Sequence, residues 1–368
     1  MSEDILKHFS TLEDTRVQGR TLHPMKNIVF ITLVGAICGI TSWEDIYYFA
    51  KERKFFFEKY LDLTNGIPSE DTLRRFFQNL NPESFQEHFT KWAKSITKDV
   101  DCKTISLDGK RICTASNMNS ENPIHIVSAW LSEKQIVLGQ VKTGEKSNEI
   151  TAIPELLKAL DIKGSMITID AMGCQTDIAK QIASSEADYL LAVKGNQPTL
   201  YEDVIRTFKQ HVPCHGKETL ELGHGRIEQR KCLFTSNLSF IRDPEKWEGI
   251  AGIVKAESTQ INKKTGKESK EVRYFITSST NQDKALAAVR KHWGIESMHW
   301  ILDVQLGEDA SLKRVDHSAE NFNVIRKIVV NLMKEDGYDH SVKKMSIKRK
   351  QIAAIINEHY LEYLLARL

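Results

Sequence analysis

The sequence predicts an α/β protein: a sheet covered by helices, an α-helical segment ahead of it and a β-rich insertion within it. Three observations predict this. Apolar residues recur at helical spacing up to about residue 100. From Lys103 short β-branched runs appear and then alternate with helical stretches. Between about 211 and 280 the alternation stops and strand-like runs follow one another.

Residues 1–100 read as a helical N-terminal domain. NIVFITLVGAICGI and WEDIYYFAKERKFFFEKYL space their apolar residues as helices do. In IPSEDTLRRFFQNL, Ser69 can cap a helix whose apolar face runs to Phe77 and leaves Arg74 and Arg75 exposed. Pro82 and Glu83 open another helix, through QEHFTKWAKSI.

Residues 101–335 read as a second domain. KTISLDG is a short strand ending in Asp108. HIVSAWL and QIVLGQVKT are two more, joined by the turn Ser132–Glu133–Lys134. Asn148 to Leu160 is helical, with Pro154 an internal irregularity. SMITIDA is a fourth strand ending near Asp170, Cys174 to Ser184 a helix, DYLLAVKG a fifth strand and Thr199 to Gln210 a helix. Such an order implies a sheet with helices on its faces. It resembles the ribonuclease H-like fold, which implies that the first and fourth strands are central neighbours. Both end here in an aspartate.

The β-rich insertion, about 211–280, holds RIEQRKCLFTS, GIAGIVKAEST and EVRYFITSS, separated by polar turns such as NKKTGKESK. Helix returns in DKALAAVRKHWGIESMHWILDV. Residues 336–368 form a basic, amphipathic helical tail, and its Lys343 to Lys350 stretch reads as solvated surface.

A chain of 368 residues with 41% hydrophobic content can bury a core in two or three domains. Its net charge of +2, from 51 basic and 49 acidic residues, does not by itself indicate a nucleic-acid partner. The six cysteines form no CxxC pair, which argues against structural zinc, and they are too sparse for a secreted disulfide framework. MSEDILKHFSTLED lacks the charge and apolar run of a signal peptide. The apolar stretch Asn27–Ile40 falls short of the ~20 residues of a membrane span. A cytoplasmic protein is expected.

Two-metal phosphoryl transfer needs carboxylates that converge on one point. Asp108 and Asp170 each follow an apolar run, Ile105–Leu107 and Met166–Ile169, so they sit at a core edge where an unpaired charge is costly. Taken singly, each also reads as a turn or cap residue. The third acid should come from a helix. His292, Glu296, His299 and Asp303 are spaced to share one helical face. Glu296 is the best third ligand, with His292, His299 and Asp303 around it. Zinc on this helix competes, but HExxH is absent. Trp293 and Trp300 read as core residues rather than base-stacking ones.

RKHWGIESMHWILDV, EDAS and AENFNVIRKIVVNL resemble the H-repeat-associated insertion-sequence transposases. So do LDGK, ITIDAMGCQ, VKGNQPTL, GHGRIEQR, DTRVQGRTLHP, TSWEDIYYFA and PSEDTLRRFF, in order along nearly the whole chain. The resemblance implies a DDE transposase with a ribonuclease H-like core. It would use two Mg2+ ions, with Mn2+ as a substitute, held by Asp108, Asp170 and Glu296. Wider relatives carry Tyr, Arg, Glu and Lys where this chain has Val289, His292, Glu296 and Asp303, so only the Glu carries over. Ser297 stands where an Asn is usual.

Implied partners are DNA, both element ends and target, and a second copy of the chain in a working homodimer. The residues singled out for DNA are Lys110, Lys194, Asn196, Gln197, Arg226, Arg230, Arg74 and Arg75. Arg74 and Arg75 would place the N-terminal domain on element ends. The alternatives are a nuclease of the same fold without transposition and an inactive DNA-binding remnant.

Overall fold

Thr104–Ile112 (β1) is an interior strand of the sheet, paired on both sides. In this computed structural model, the described residues are 9, 12–14, 16, 17, 19, 21–101, 103–112, 124–144, 149–223, 225–340 and 345–367. Cys102, Cys113, Asn148, His224 and Lys343, which entered the sequence argument, lie outside them. Ile124–Leu131 (β2) pairs antiparallel with β1, and Ile136–Lys142 (β3) with β2. On the other side Met166–Ile169 (β4) pairs parallel with β1, and Asp188–Val193 (β5) parallel with β4. The helices Glu149–Ala159 (α6), Thr176–Ser184 (α7) and Pro198–Lys209 (α8) follow β3, β4 and β5 in turn.

The segment read as an insertion continues this same sheet. Its strands are His215–Gly223 (β6), Arg226–Thr235 (β7), Gly252–Asn262 (β8) and Glu268–Thr277 (β9). β9 pairs antiparallel with β5, giving the order β3-β2-β1-β4-β5-β9-β8-β7-β6. β6 lay outside the sequence-based expectation, because it is an edge strand exposed along nearly its whole length. Nothing in HGKETLELG alternates in and out of a core; backbone pairing to β7 alone makes it a strand.

Alternation in the strands sorts side chains onto two faces. Ile105, Leu107, Ile167, Ile169 and Leu191 pack with Leu156, Ile178 and Val204 of α6, α7 and α8. Met166, Leu190, Val254 and Phe275 pack instead with Leu286 and Val289 of Gln282–His292 (α9).

The described elements before β1 are helices: Met25–Ile37 (α1), Trp43–Glu52 (α2), Lys54–Glu58 (α3), Glu70–Asn79 (α4) and Pro82–Ser95 (α5). α1 is buried from Asn27 to Ile37, which explains a run apolar on all sides. Ser69 caps α4, accepting the Thr72 N–H at 3.3 Å, and Asn81 caps α5, accepting the Ser84 N–H at 2.7 Å. Ser318–Lys334 (α11) is buried from Ser318 to Met333 and joins these helices to the sheet. Its Asn321 donates to the carbonyls of Phe77 and Leu80, both at 2.9 Å. Its Asn331 accepts the Val137 N–H of β3 at 2.7 Å. Ile347–Ile356 (α12) and Glu358–Leu365 (α13) complete that core. No helix among the described residues is long and apolar enough to cross a membrane.

Candidate active site

Leu107 of β1 stands opposite Ile169 of β4 as their last parallel pair. The next residue on each strand is an acid, Asp108 and Asp170, so the two carboxylates emerge side by side. β4 ends there, but β1 does not. Its pairing with β2 continues through Asp108 opposite Ser128 to Ile112, which corrects the expectation that the first strand stops at Asp108. Backbone N–H groups hold both acids. Gly109 donates to Asp108 Oδ1 at 3.0 Å, and Met172 and Gly173 to Asp170 Oδ1 at 3.0 and 3.4 Å.

Glu149, in the first turn of α6, joins them. Carboxylate oxygens of Asp108, Glu149 and Asp170 lie within 4.8 Å of one another. Gly109 makes room for this, since a β-carbon there would stand 2.0 Å from Glu149 Oε1. Glu149 carries no motif, and an acid opening a helix is ordinary, so only tertiary contact singles it out. Carboxylates this close repel one another unless a proton or a cation lies between them. Burial, then the charges of Asp170 and Glu149, push Asp108 up to about 7, with Glu296 adding to the effect. Burial and then Asp170 push Glu149 upward too. The donors are all hard oxygens. That set fits a cation such as Mg2+ or Mn2+ and not a structural zinc site.

Glu296 lies on Gly294–Trp300 (α10), exposed to solvent. Its charge reaches Asp108, although it is not one of the three whose oxygens fall within 4.8 Å. The single helical face expected over 292–303 is broken. α9 ends at His292, α10 begins at Gly294, and a π-helical turn spans Ile301–Gln305. At this break the backbone comes close to β2: a β-carbon at Gly294 would stand 2.8 Å from Trp130 Nε1.

The four side chains therefore meet different partners. His292 is buried, its Nδ1 2.9 Å from Thr168 Oγ1, and Thr168 donates to Ser106 Oγ at 2.9 Å. Burial, then the cations Arg273 and Lys194, push His292 down to about 4. His299 Nδ1 stands 3.6 Å from Asp108 Oδ2. Burial, then Lys327 and Lys110, push His299 down to about 3, so this is a contact of a neutral ring and not an ion pair. Asp303 pairs with Lys110.

Lys110 is only 12% exposed in its side chain, and its ammonium lies between Asp303 and Glu308. Burial works against that charge, but the two carboxylates more than offset it and raise the Lys110 pKa. Glu308 is fully buried and also accepts from Asn323. Asn196 and Gln197 turn inward to the loop after Asp170, donating to the carbonyls of Ala171 and Cys174 at 2.6 and 2.9 Å. Lys194 is exposed. Arg226 lies 4.0 Å from Glu228, and Arg230 pairs with Glu221 and Glu228 at 3.1 and 2.5 Å. Arg74 and Arg75 both pair with Asp71.

The two tryptophans divide. Trp293 meets the guanidiniums of Arg230 and Arg273, 5.4 and 5.2 Å from its ring centre. Trp300 is 53% exposed, which overturns its expected place in the core. Helix α10 turns this side outward because Ile295 and Met298 take the buried face. A cavity of about 660 Å³ lies against Trp130, Arg230 and Trp293 and is lined by none of the four acids. Chemistry, not size, marks the site.

Residues 92–332 match the transposase DDE domain family, and residues 6–93 match the region described as DDE_Tnp_1-associated. The chain belongs to the DDE transposase family. Within it, the chain is 39% identical over 373 residues to the "Putative transposase YncI" of Escherichia coli O157:H7, covering 99% of this chain and 95% of that one. It is 36% identical to the "H repeat-associated putative transposase YhhI" of Escherichia coli K12, covering 98% of this chain and 97% of that one. A shorter relative, the "Inactive transposase YbfQ" of the same strain, matches 19% of this chain at 34% identity.

Proposed function

We propose that this protein cleaves DNA at the ends of an insertion element and joins the freed 3′-hydroxyl to target DNA. The observation that carries this reading is the convergence of Asp108, Asp170 and Glu149 at the β1–β4 junction, with Glu296 close enough to raise the Asp108 pKa. A ribonuclease H-like core of residues 101–335 agrees with the β3-β2-β1-β4-β5 half of the sheet. The β-rich part, about 211–280, extends it; the domain read over 1–100 is helical in its described elements, and the basic segment read as a tail over 336–368 packs α12 and α13 into that helical core.

Asp108, Asp170 and Glu296 would hold two Mg2+ ions, with Glu149 completing the oxygen set. Bound there, the ions supply charge stabilisation for the attacking and leaving oxygens of a phosphodiester. The protein's own part is placement. Strand pairing fixes Asp108 and Asp170, Gly109 admits Glu149, and burial of Ile295 and Met298 leaves Glu296 on the open side of α10. His292, His299 and Asp303 surround these acids. Lys194 and Arg226 are the more open cations toward DNA; Lys110, Asn196, Gln197, Arg230, Arg74 and Arg75 would reach it only by exchanging present partners. Pairing two element ends calls for a homodimer in the working complex, acting in the cytoplasm.

The test is a cleavage and joining assay on DNA carrying the element's native flanks, with Mg2+ or Mn2+. Wild type should nick the ends and transfer them. Asp108→Ala, Asp170→Ala and Glu296→Ala should each abolish cleavage and keep DNA binding. Cleavage by Asp108→Ala would sink the assignment. Cleavage without joining points to a nuclease, and binding without cleavage to an inactive copy.

A further inference from the structure

Glu296, Trp300 and Val304 follow one another at intervals of four along α10 and the π-helical turn, and all three are exposed. The stripe starts at an acid of the candidate site. It ends in a groove of about 530 Å³ lined by Trp300, Val304, Leu306, Gly39, Ser346 and Lys348. Trp300 and Val304 are 53% and 62% exposed, a large apolar area to leave in water without a partner. Among the described residues, no acidic side chain lines the groove. Lys348 stands at its wall beside Arg349, and among the described residues neither forms an ion pair.

We infer that this groove is a seat for a DNA strand leaving the cleavage site, with a base stacked on Trp300 and the backbone beside Lys348. The inference rests on the proposed function and deepens it. Continuity carries it: a strand whose phosphate lies at Glu296 must continue along the exposed side of α10 or turn away from it. An aromatic face with an adjacent cation, and no opposing acid, is the combination that holds unpaired nucleotides regardless of sequence. Trp300 is then a substrate-positioning residue, four positions beyond Glu296.

The experiment uses the full chain and a fluorescently labelled duplex with the native element end and a single-stranded tail. Binding is read by anisotropy for wild type, Trp300→Phe, Trp300→Ala and Lys348→Gln, and oligomeric state by sedimentation. Loss of one stacked base should weaken Trp300→Ala binding roughly tenfold, while Trp300→Phe stays close to wild type. Lys348→Gln should weaken binding and lower its salt dependence. The effect of Trp300→Ala should vanish on a blunt duplex without the tail. Unchanged affinity of Trp300→Ala for the tailed DNA overturns the inference, as does equal loss on tailed and blunt DNA. A change of oligomeric state in Trp300→Ala assigns the face to a second copy instead, and also overturns it. These failures differ from failure of the proposed function, in which wild type itself neither binds nor cleaves element ends.

Discussion

Lys110 Nζ is ion-paired to Glu308, a carboxylate with no exposure to solvent. Lys110 lies two positions beyond Asp108 on β1, so this pair fixes the strand that carries the acid. Arg326 and Lys327 of α11 also act on Glu308, and Lys327 donates to Ser128 of β2 at 2.7 Å. Burial opposes the charge on Glu308, but these cations hold its pKa below the ordinary value. Removing Glu308 leaves the guanidinium of Arg326 buried without its carboxylate. Glu308→Ala should therefore cost about 3–5 kcal/mol of unfolding free energy. Urea unfolding measures it, and a loss below about 1 kcal/mol, the level of an ordinary substitution, contradicts the strut.

Gly109 and Glu149 make a prediction about a pair. A methyl group at 109 occupies the place of the Glu149 carboxylate and should push that side chain out of the cluster. Gly109→Ala should then weaken Mn2+ binding as much as Glu149→Ala does. Combining the two should weaken it no further, because both remove the same interaction. Titration calorimetry of the four proteins closes the cycle. Additive losses would show that Gly109 acts on the cluster by another route.

How far the sequence reached depended on the kind of signal each feature leaves. β1 to β5 and their crossover helices are legible because buried strands leave apolar β-branched runs and helices a periodic face. Asp108 and Asp170 are legible for the same reason, as acids ending such runs. β6 is not, since an exposed edge strand has no apolar pattern to read. Glu149 and Glu308 are invisible in isolation: one opens a helix, and the other lies in a loop whose burial depends on α11. The need for a glycine at 294 is set by Trp130, far away in sequence. Trp300 misleads because tryptophan is usually buried, and its exposure follows from which side of α10 Ile295 and Met298 claim.

Repulsion within the acid cluster predicts a trade between stability and activity. Asp108 titrates near 3.8 when unfolded and is pushed up to about 7 in the fold, by burial first and then by its acidic neighbours. Between those values the folded state binds more protons, so the stability of the metal-free protein falls as pH rises. Asp108→Asn removes the charge. It should stabilise the metal-free protein at pH 7 by up to about 4 kcal/mol, the equivalent of that shift, and lose this advantage near pH 4. Mg2+ should raise the melting temperature of wild type and leave that of Asp108→Asn almost unchanged. A metal-free Asp108→Asn protein less stable than wild type at pH 7 would count against the raised pKa.

His292 acts in the opposite sense over nearly the same range. Its ordinary value of 6.5 is pushed down to about 4, by burial first and then by Arg273 and Lys194. Between pH 4 and 6.5 the unfolded chain therefore binds the extra proton, and stability falls as pH falls. Over the full window the loss amounts to about 3 kcal/mol. The Asp108 and His292 contributions oppose each other, so wild type has an intermediate dependence on pH. His299, pushed down to about 3, acts in the same sense as His292 and Glu149 in the same sense as Asp108, and both stay in all three proteins, so removing either group still shifts the slope in the direction of the other. His292→Asn keeps a donor for Thr168 but cannot take up the proton. Its stability should rise least with pH from 4 to 6.5, that of Asp108→Asn should rise most, and wild type should lie between them. Urea unfolding of the three metal-free proteins across this range gives the order, and the same slope for His292→Asn and wild type would show that the buried ring is not the group that titrates.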